Sequence, residues 1–404
     1  LDFDLANRSQ KIKNQNKKTN MQRKHLFWPV IGALSLGLLL GACARFPQPS
    51  TALQTANAQN EPVRNADDLH RLSATYADIA ARVTPAVVNI NSTQIIPGRV
   101  LHDPFAEFFG DDSGGWQREP DRRAQSLGSG VIVDSRGLIV TNNHVIRNAS
   151  SITVTLSDRR HFSAKLVGTD PASDVAVLKI EATKLPVLEW SNSDKLKVGD
   201  IVLAIGSPFN LASTVTQGII SAKGRRDLGI SAYEDFLQTD AAINPGNSGG
   251  ALVNVDGDLI GINTAILSES GGNQGIGLAI PSNLARQISE QLATSGRITR
   301  GWLGVVVEPV TGDVARATGL PDTRGVVVTG VYTRGPAAAV NWSQRGGDVI
   351  TKINGTAIET PGQLRNQIAA LKPGVQVTLE VWQGGRSSTY TVNLGTRPAR
   401  AQGV

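Results

Sequence analysis

The pentapeptide Gly246-Asn247-Ser248-Gly249-Gly250 fits the pattern G-x-S-x-G, in which flanking glycines leave a serine hydroxyl exposed on a sharp turn. A serine hydroxyl is a weak nucleophile at its own pKa and needs an imidazole base to take its proton. That base needs a carboxylate to fix its tautomer and to stabilise the imidazolium formed in the transition state. The chain has five histidines: His25, His70, His102, His144 and His161. All of them precede Ser248, which excludes the nucleophile elbow of α/β-hydrolases, where the order is Ser, acid, His and the serine opens a helix. After Ser248 comes the strand-like run Ala251-Leu252-Val253-Asn254, leading into an Asp256-Gly257 hairpin signal.

The order His, Asp, Ser on a β-barrel scaffold remains. His25 lies in a leader-like segment, His70 and His102 in a linker and a long loop, and His161 follows two arginines in a polar hairpin. His144 ends the apolar run Ile139-Val140-Thr141-Asn142-Asn143-His144. Asp174 stands immediately before the run Val175–Ile180, where a strand holds its carboxylate rigidly. His144, Asp174 and Ser248 therefore supply base, orienter and nucleophile from three strand ends. Gly246 and Asn247 can turn backbone N–H groups toward a developing oxyanion; losing one such donor costs about 10²–10³ in rate.

The elements around these residues are short β-like runs separated by turn signals, a mainly β pattern. Residues 95–125 interrupt it with a loop rich in Pro, Gly, Asp and Arg, a length that is usually functional. Over Ser282–Gly296 the period lengthens: Leu284, Ile288 and Leu292 recur every four residues, and Gly296 is the stop. A second β-rich unit follows, with an Asn354-Gly355 turn and a short amphipathic helix at Pro361–Leu371. The expected organisation is an N-terminal extension and export signal over 1–44, a linker over 45–70, a β-rich domain carrying the Ser-His-Asp set over 71–297, a second domain over 298–396 and a tail over 397–404. The 404-residue length accommodates roughly two to three domains.

The net charge of +6 at first invites a nucleic-acid reading. Residues 1–45 hold eight Lys/Arg and two Asp, so this stretch carries the whole excess and leaves 32 basic and 32 acidic residues elsewhere. The body is neutral and no nucleic-acid partner is expected. Residues 1–20 read as a solvated extension or an upstream-translated stretch. From Met21 a short basic segment, Gln22-Arg23-Lys24-His25, precedes an apolar h-region over 26–42, the pattern of an export signal. Leu40-Gly41-Ala42-Cys43 resembles a lipoprotein box with Cys43 as the lipidation site, Ala42-Cys43-Ala44 is an A-x-A cleavage site, and an uncleaved Leu26–Ala44 is long enough to anchor in a bilayer. All three outcomes place the body outside the cytoplasm, with membrane association through the N-terminus in two of them. The single cysteine excludes an intramolecular disulfide and a Cys-based zinc cage. There is no H-E-x-x-H for a metal and no P-loop, so no metal or other cofactor is expected.

Thr141-Asn142-Asn143-His144-Val145-Ile146, Ser173-Asp174-Val175-Ala176-Val177-Leu178 and Thr239–Leu252 closely resemble the three active-site motifs of the Deg/HtrA serine endopeptidases. Gly206-Ser207-Pro208-Phe209 and Gly275–Pro281 are similar to that family too. The resemblance implies a chymotrypsin/trypsin-like double β-barrel followed by one PDZ domain, usually as a homotrimer. It makes His144 the general base, Asp174 its orienter and Ser248 the nucleophile, with the oxyanion hole formed by backbone N–H groups of Gly246 and Ser248 and Asn247 nearby. Residues 95–125 would correspond to the family's long regulatory loop. Gly301-Trp302-Leu303-Gly304-Val305 resembles the PDZ carboxylate loop, with Leu364 and Ile368 walling the pocket of a peptide C-terminus added as a strand.

Trypsin-like enzymes that select Arg or Lys carry an acid six positions before the serine; here that position is Ala242. Ile243 and, by resemblance, Ile276 would line an S1 pocket suited to small and medium aliphatic residues. Such residues are exposed chiefly in unfolded proteins. The expected function is ATP-independent proteolysis of misfolded envelope proteins in the periplasm, or in a thylakoid lumen for a photosynthetic source. The alternative is a PDZ-dependent peptide-binding chaperone of low proteolytic activity.

Overall fold

The computed structural model describes residues 66–398 other than 97–99, 103–115, 119–121, 209–212, 267–273 and 344–345, and of 100–102 and 116–118 only the backbone. The export signal, Cys43 and most of the 95–125 loop lie outside the described residues. The first described element is a helix, α1 (Ala66–Val83), where the sequence predicts the end of a linker and the onset of β-like runs. Leu69, Leu72, Tyr76, Ile79 and Val83 recur at alternating three- and four-residue spacing, which is a helical stripe. Its C-terminal half is covered, with Ile79 and Val83 buried, whereas Leu69 and Leu72 are exposed. Polar residues dominate the remaining positions and hide that period in the sequence.

Among the described residues nine strands follow: β1 (Val87–Ile96), β2 (Val100–His102), β3 (Trp116–Arg118), β4 (Arg122–Asp134), β5 (Leu138–Asn142), β6 (Ser151–Thr155), β7 (His161–Ser163), β8 (Lys165–Asp170) and β9 (Val175–Lys179). Seven form one antiparallel sheet in the order β7-β6-β1-β4-β5-β9-β8, while β2 and β3 pair as a separate ribbon inside the segment expected to be a long loop. One turn of helix, α2 (Asn143–Ile146), sits between β5 and β6. The next six strands are β10 (Ile201–Gly206), β11 (Thr214–Arg225), β12 (Phe236–Thr239), β13 (Ala251–Val253), β14 (Leu259–Ile266) and β15 (Gly277–Pro281). They close into a barrel in the order β10-β11-β12-β15-β14-β13.

Strand alternation explains how two cores and a seam between them arise from one sequence. Side chains on a strand point alternately to its two faces. Val88, Ile132, Ile139 and Leu178 fill the core of the first sheet, and Val202, Ala204, Ile220 and Leu252 fill the second barrel. Their sequence neighbours Val87, Val131, Val140, Val177, Leu203 and Ile205 point the other way and join a third cluster between the two. Helix α3 (Ser282–Ser295) seals that seam with Ala285, Ile288 and Leu292. It stops at Gly296, whose φ of 69° is the left-handed cap expected there.

The C-terminal part comprises β16 (Gly301–Trp302), β17 (Val305–Pro309), α4 (Gly312–Thr318), β18 (Val326–Val331), β19 (Val349–Ile353), β20 (Thr356–Ala357), α5 (Pro361–Ala370), β21 (Gln376–Gln383), β22 (Arg386–Asn393) and β23 (Gly395–Thr396). Its main sheet runs β17-β18-β19-β21-β22, with its own core around Val326, Ile350, Leu379 and Ile368. Asn354 and Gly355 both take positive φ in the β19–β20 turn, as their dipeptide predicts.

Candidate active site

The turn between β8 and β9 ends at Asp174, a non-glycine residue with φ 57°, a left-handed conformation that aspartate tolerates better than most residues. Its backbone carbonyl accepts the N–H of Asn143 (3.1 Å) and the side-chain amide of Asn142 (3.1 Å). Its carboxylate is pinned by three donors. Oδ1 accepts the backbone N–H of His144 at 2.9 Å, and Oδ2 lies 2.7 Å from His144 Nδ1 and 3.0 Å from Thr264 Oγ1. An ionised carboxylate only accepts, so Nδ1 carries the proton and Nε2 is left as the acceptor. The base and its orienter come from the first sheet, and Thr264, on β14, ties them to the second barrel. Nothing local in the sequence flags Thr264, because its role exists only after the first sheet packs against the barrel.

Ser248 lies on the loop between β12 and β13, whose course depends on glycine. Gly249 has φ 84°, and a Cβ there would stand 2.1 Å from the Ser129 carbonyl oxygen. Gly246 has φ 97° and faces Pro208. The Asn247 N–H donates to the Asn244 carbonyl at 3.0 Å, and that of Gly249 to the Asn263 carbonyl at 2.7 Å. Among the described residues no group accepts from the N–H of Gly246 or of Ser248. Of the three backbone donors named from sequence, Asn247 is thus internally committed and the other two are open.

His144 and Ser248 face one cleft of about 290 Å³, lined by Leu127, Ile243, Asn244, Pro245, Gly246, Ala265 and Ile266 as well. No hydrogen bond joins Ser248 Oγ to His144 among the described residues; such contacts commonly tighten only when substrate binds. Among the described residues the cleft wall contains no carboxylate, and Ala242 is held through its carbonyl by Thr216 Oγ1 at 2.9 Å. Ile243 contributes to the wall as expected from sequence, whereas Ile276 does not line it; Ala265 and Ile266 of β14 do. Gly277 is the residue of that motif facing Ile243, since a Cβ at Gly277 would be 2.9 Å from Ile243 Cδ1.

A second groove, of about 190 Å³, lies between Gly301–Val305 and α5, with Leu364 and Ile368 in its wall. Gly304 has φ 80° and a Cβ there would be 2.8 Å from Gly335 Cα, so the loop closes only with glycine. The N–H groups of Leu303 and Gly304 have no acceptor among the described residues. Trp302 and Leu303 to Val305, the residues singled out from sequence, all line this groove. Missed from sequence are Tyr233, Arg365 and Arg397 at the same groove. Arg365 donates to the Ala232 carbonyl at 2.7 Å, Arg397 to the Tyr233 hydroxyl, and Arg300 stacks over the Tyr233 ring at 4.3 Å. Arg300 also pairs with the buried Asp170 and donates to Ser173 Oγ at 2.7 Å, so the turn carrying Asp174 contacts the second unit. Nearby, burial pushes the Asp235 carboxyl up despite its pairing with Arg226, which pulls the other way.

The sequence profile of the trypsin-like peptidase domain matches residues 128–262, and that of the PDZ domain matches 301–394. A Pseudomonas fulva (strain 12-X) protein described as "Probable periplasmic serine endoprotease DegP-like" is 45% identical over 346 residues, covering 80% of this chain and 71% of the relative. A protein of the same description from Chlamydia muridarum is 41% identical over 380 residues, covering 89% and 76%. Among solved structures, the HtrA-type protease AlgW with a decapeptide superposes with a TM-score of 0.66 at 44% identity, covering 80% of this chain and 99% of that one. The serine endoprotease from Yersinia pestis gives 0.56 at 37% identity, covering 80% and 98%.

Proposed function

The chain belongs to the DegP-like, HtrA-type serine endoproteases, a trypsin-like peptidase domain followed by a PDZ domain, and on that premise we propose which residues cleave the peptide bond and what they act on. Ser248 Oγ attacks the scissile carbonyl carbon while His144 Nε2 takes its proton. Asp174 holds the ring in the tautomer that leaves Nε2 free and offsets the charge of the imidazolium. The N–H groups of Gly246 and Ser248 bind the oxyanion of the tetrahedral intermediate, which is where preorganised donors lower the barrier most. His144 then protonates the leaving amine, and a water activated by the same nitrogen hydrolyses the acyl-enzyme. The observation that carries this reading is the triply held Asp174 carboxylate at 2.7 Å from His144 Nδ1, in the cleft that Ser248 also lines.

The apolar, uncharged cleft supports cleavage after Val, Ala, Leu or Ile, residues that unfolded proteins expose. The two open N–H groups beside the second groove support capture of a peptide C-terminus by β-strand addition. The relatives' periplasmic description and the basic and apolar leader support action in the periplasm on misfolded envelope proteins, without ATP. A homotrimer and an N-terminal membrane tether through Cys43 or an uncleaved leader complete the proposal. The domain limits follow the sequence reading, 71–297 and 298–396, with α1 beginning at Ala66 as the lead-in. Mass-spectrometric mapping of the fragments from an unfolded protein tests the substrate class. Termini clustered after aliphatic residues are expected, and predominant cleavage after Lys or Arg would contradict it.

A further inference from the structure

The Gly206-Ser207-Pro208 turn has no part in the mechanism above, yet it lies against the loop that carries Ser248. A Cβ on Gly206 would fall 2.3 Å from Asn247 Oδ1, and one on Gly246 would fall 2.6 Å from Pro208 Cβ. Ser129, on β4 and fully buried, joins the two. Its Oγ accepts the Ser207 N–H at 2.8 Å and donates to the Gly246 carbonyl at 2.6 Å. Its own N–H donates to the Ser248 carbonyl at 2.8 Å, and its carbonyl accepts Thr141 Oγ1 at 2.6 Å. At the far end, Asn89 on β1 donates its side-chain amide to the Ser207 carbonyl at 2.6 Å.

We propose that Ser129 is a positioning residue for the oxyanion hole, acting through a hydrogen-bonded relay Asn89–Ser207–Ser129–Gly246 that locks the nucleophile loop from the opposite barrel. Ser129 holds the carbonyl of the 246–247 plane and the carbonyl of the 248–249 plane. The plane between them, 247–248, carries the Ser248 N–H, and the plane just before them carries the Gly246 N–H. Gly246 has no Cβ to restrict it and would otherwise rotate at little cost. The Ser207 N–H occupies one lone pair of the Ser129 hydroxyl, which leaves its proton for Gly246, and bonds aligned in this way strengthen one another. The hydroxyl touches neither the substrate cleft nor the His144–Asp174 pair, so its effect falls on oxyanion binding and not on substrate affinity.

This inference rests on the reading of Ser248 as nucleophile, and the test separates the two. The full chain, Ser129→Ala, Asn89→Ala and Ser248→Ala are assayed on a Val-P1 peptide anilide, with active sites counted by a fluorophosphonate. Inhibition is measured with the corresponding peptide aldehyde, whose hemiacetal oxygen occupies the oxyanion site. Ser129→Ala is expected to lower kcat by about 10- to 100-fold, less than outright deletion of a donor, with KM unchanged. The aldehyde Ki rises by the same factor. Asn89→Ala shows the same pattern with a smaller loss, which keeps the test available if Ser129→Ala does not fold. Unchanged kcat and Ki in the folded variants, or a fall in active-site count with Ki unchanged, would overturn the relay. An active Ser248→Ala would instead overturn the reading on which it rests.

Discussion

Replacing Asp174 with asparagine changes one oxygen for one amide group at a site where the structure leaves no tolerance for a donor. Oδ1 receives the His144 backbone N–H, while Oδ2 receives His144 Nδ1 and Thr264 Oγ1. An amide has one accepting oxygen. Placed at Oδ2, it turns its NH₂ against a backbone N–H that cannot reverse. Placed at Oδ1, it presents the NH₂ to Nδ1, and the imidazole relieves that contact by moving its proton to Nε2. The cheaper arrangement thus abolishes the acceptor that Ser248 needs. The same exchange in a Ser-His-Asp triad costs about 10⁴ in kcat, equivalent to about 5.5 kcal/mol of activation free energy. The assay is steady-state kinetics on a Val-P1 peptide anilide, normalised to active sites. KM is expected to stay within about twofold of wild type, because the interaction is made in the transition state. A kcat within about tenfold of wild type in a folded protein would refute the tautomer argument.

Three further outcomes follow from local geometry. Ile243→Ala empties part of a fully buried wall; it should cost about 2–4 kcal/mol in denaturant unfolding and move the P1 preference toward larger residues in a peptide panel. Gly304→Ala forces a side chain onto a φ of 80° and into Gly335; fluorescence anisotropy should show at least about tenfold weaker binding of C-terminal peptides, equivalent to about 1.4 kcal/mol. Because burial raises the Asp235 carboxyl above its ordinary value of 3.8, its contribution favours the fold at low pH and is lost as pH rises through the folded value. Asp235→Asn should therefore gain stability relative to wild type as pH rises above about 3.8, and a pH-independent difference in urea midpoints would contradict this.

The candidate triad was legible because the order His144, Asp174, Ser248 and the turn and strand signals around each residue can be read directly along the chain. The glycine-rich loop was legible for the same reason: Gly246 and Gly249 take positive φ, and sequence marks that requirement. Helix α1 was not, because only Tyr76, Ile79 and Val83 of its stripe find cover and polar residues dominate the other positions. Thr264 and Ser129 escaped notice because each acts across the barrel seam, through partners 90 and 117 residues away in the chain. Ile276 is assigned to the cleft by motif alone, and the described lining holds Ile243, Ala265 and Ile266 instead, because which residues reach the wall depends on packing between distant segments. Asn247 was counted among the oxyanion donors because the loop's internal turn to Asn244 cannot be read from residue type.

The central claim is that one hydroxyl, on Ser248, performs the proteolysis. Digestion of unfolded casein by the full chain and by Ser248→Ala, followed by gel densitometry with neither metal nor nucleotide added, tests it most directly. Wild type should degrade the substrate and be silenced by a fluorophosphonate bound at one serine per chain. Ser248→Ala should fall by about 10⁶ in turnover, which is below detection. Equal degradation by the two proteins would contradict the account.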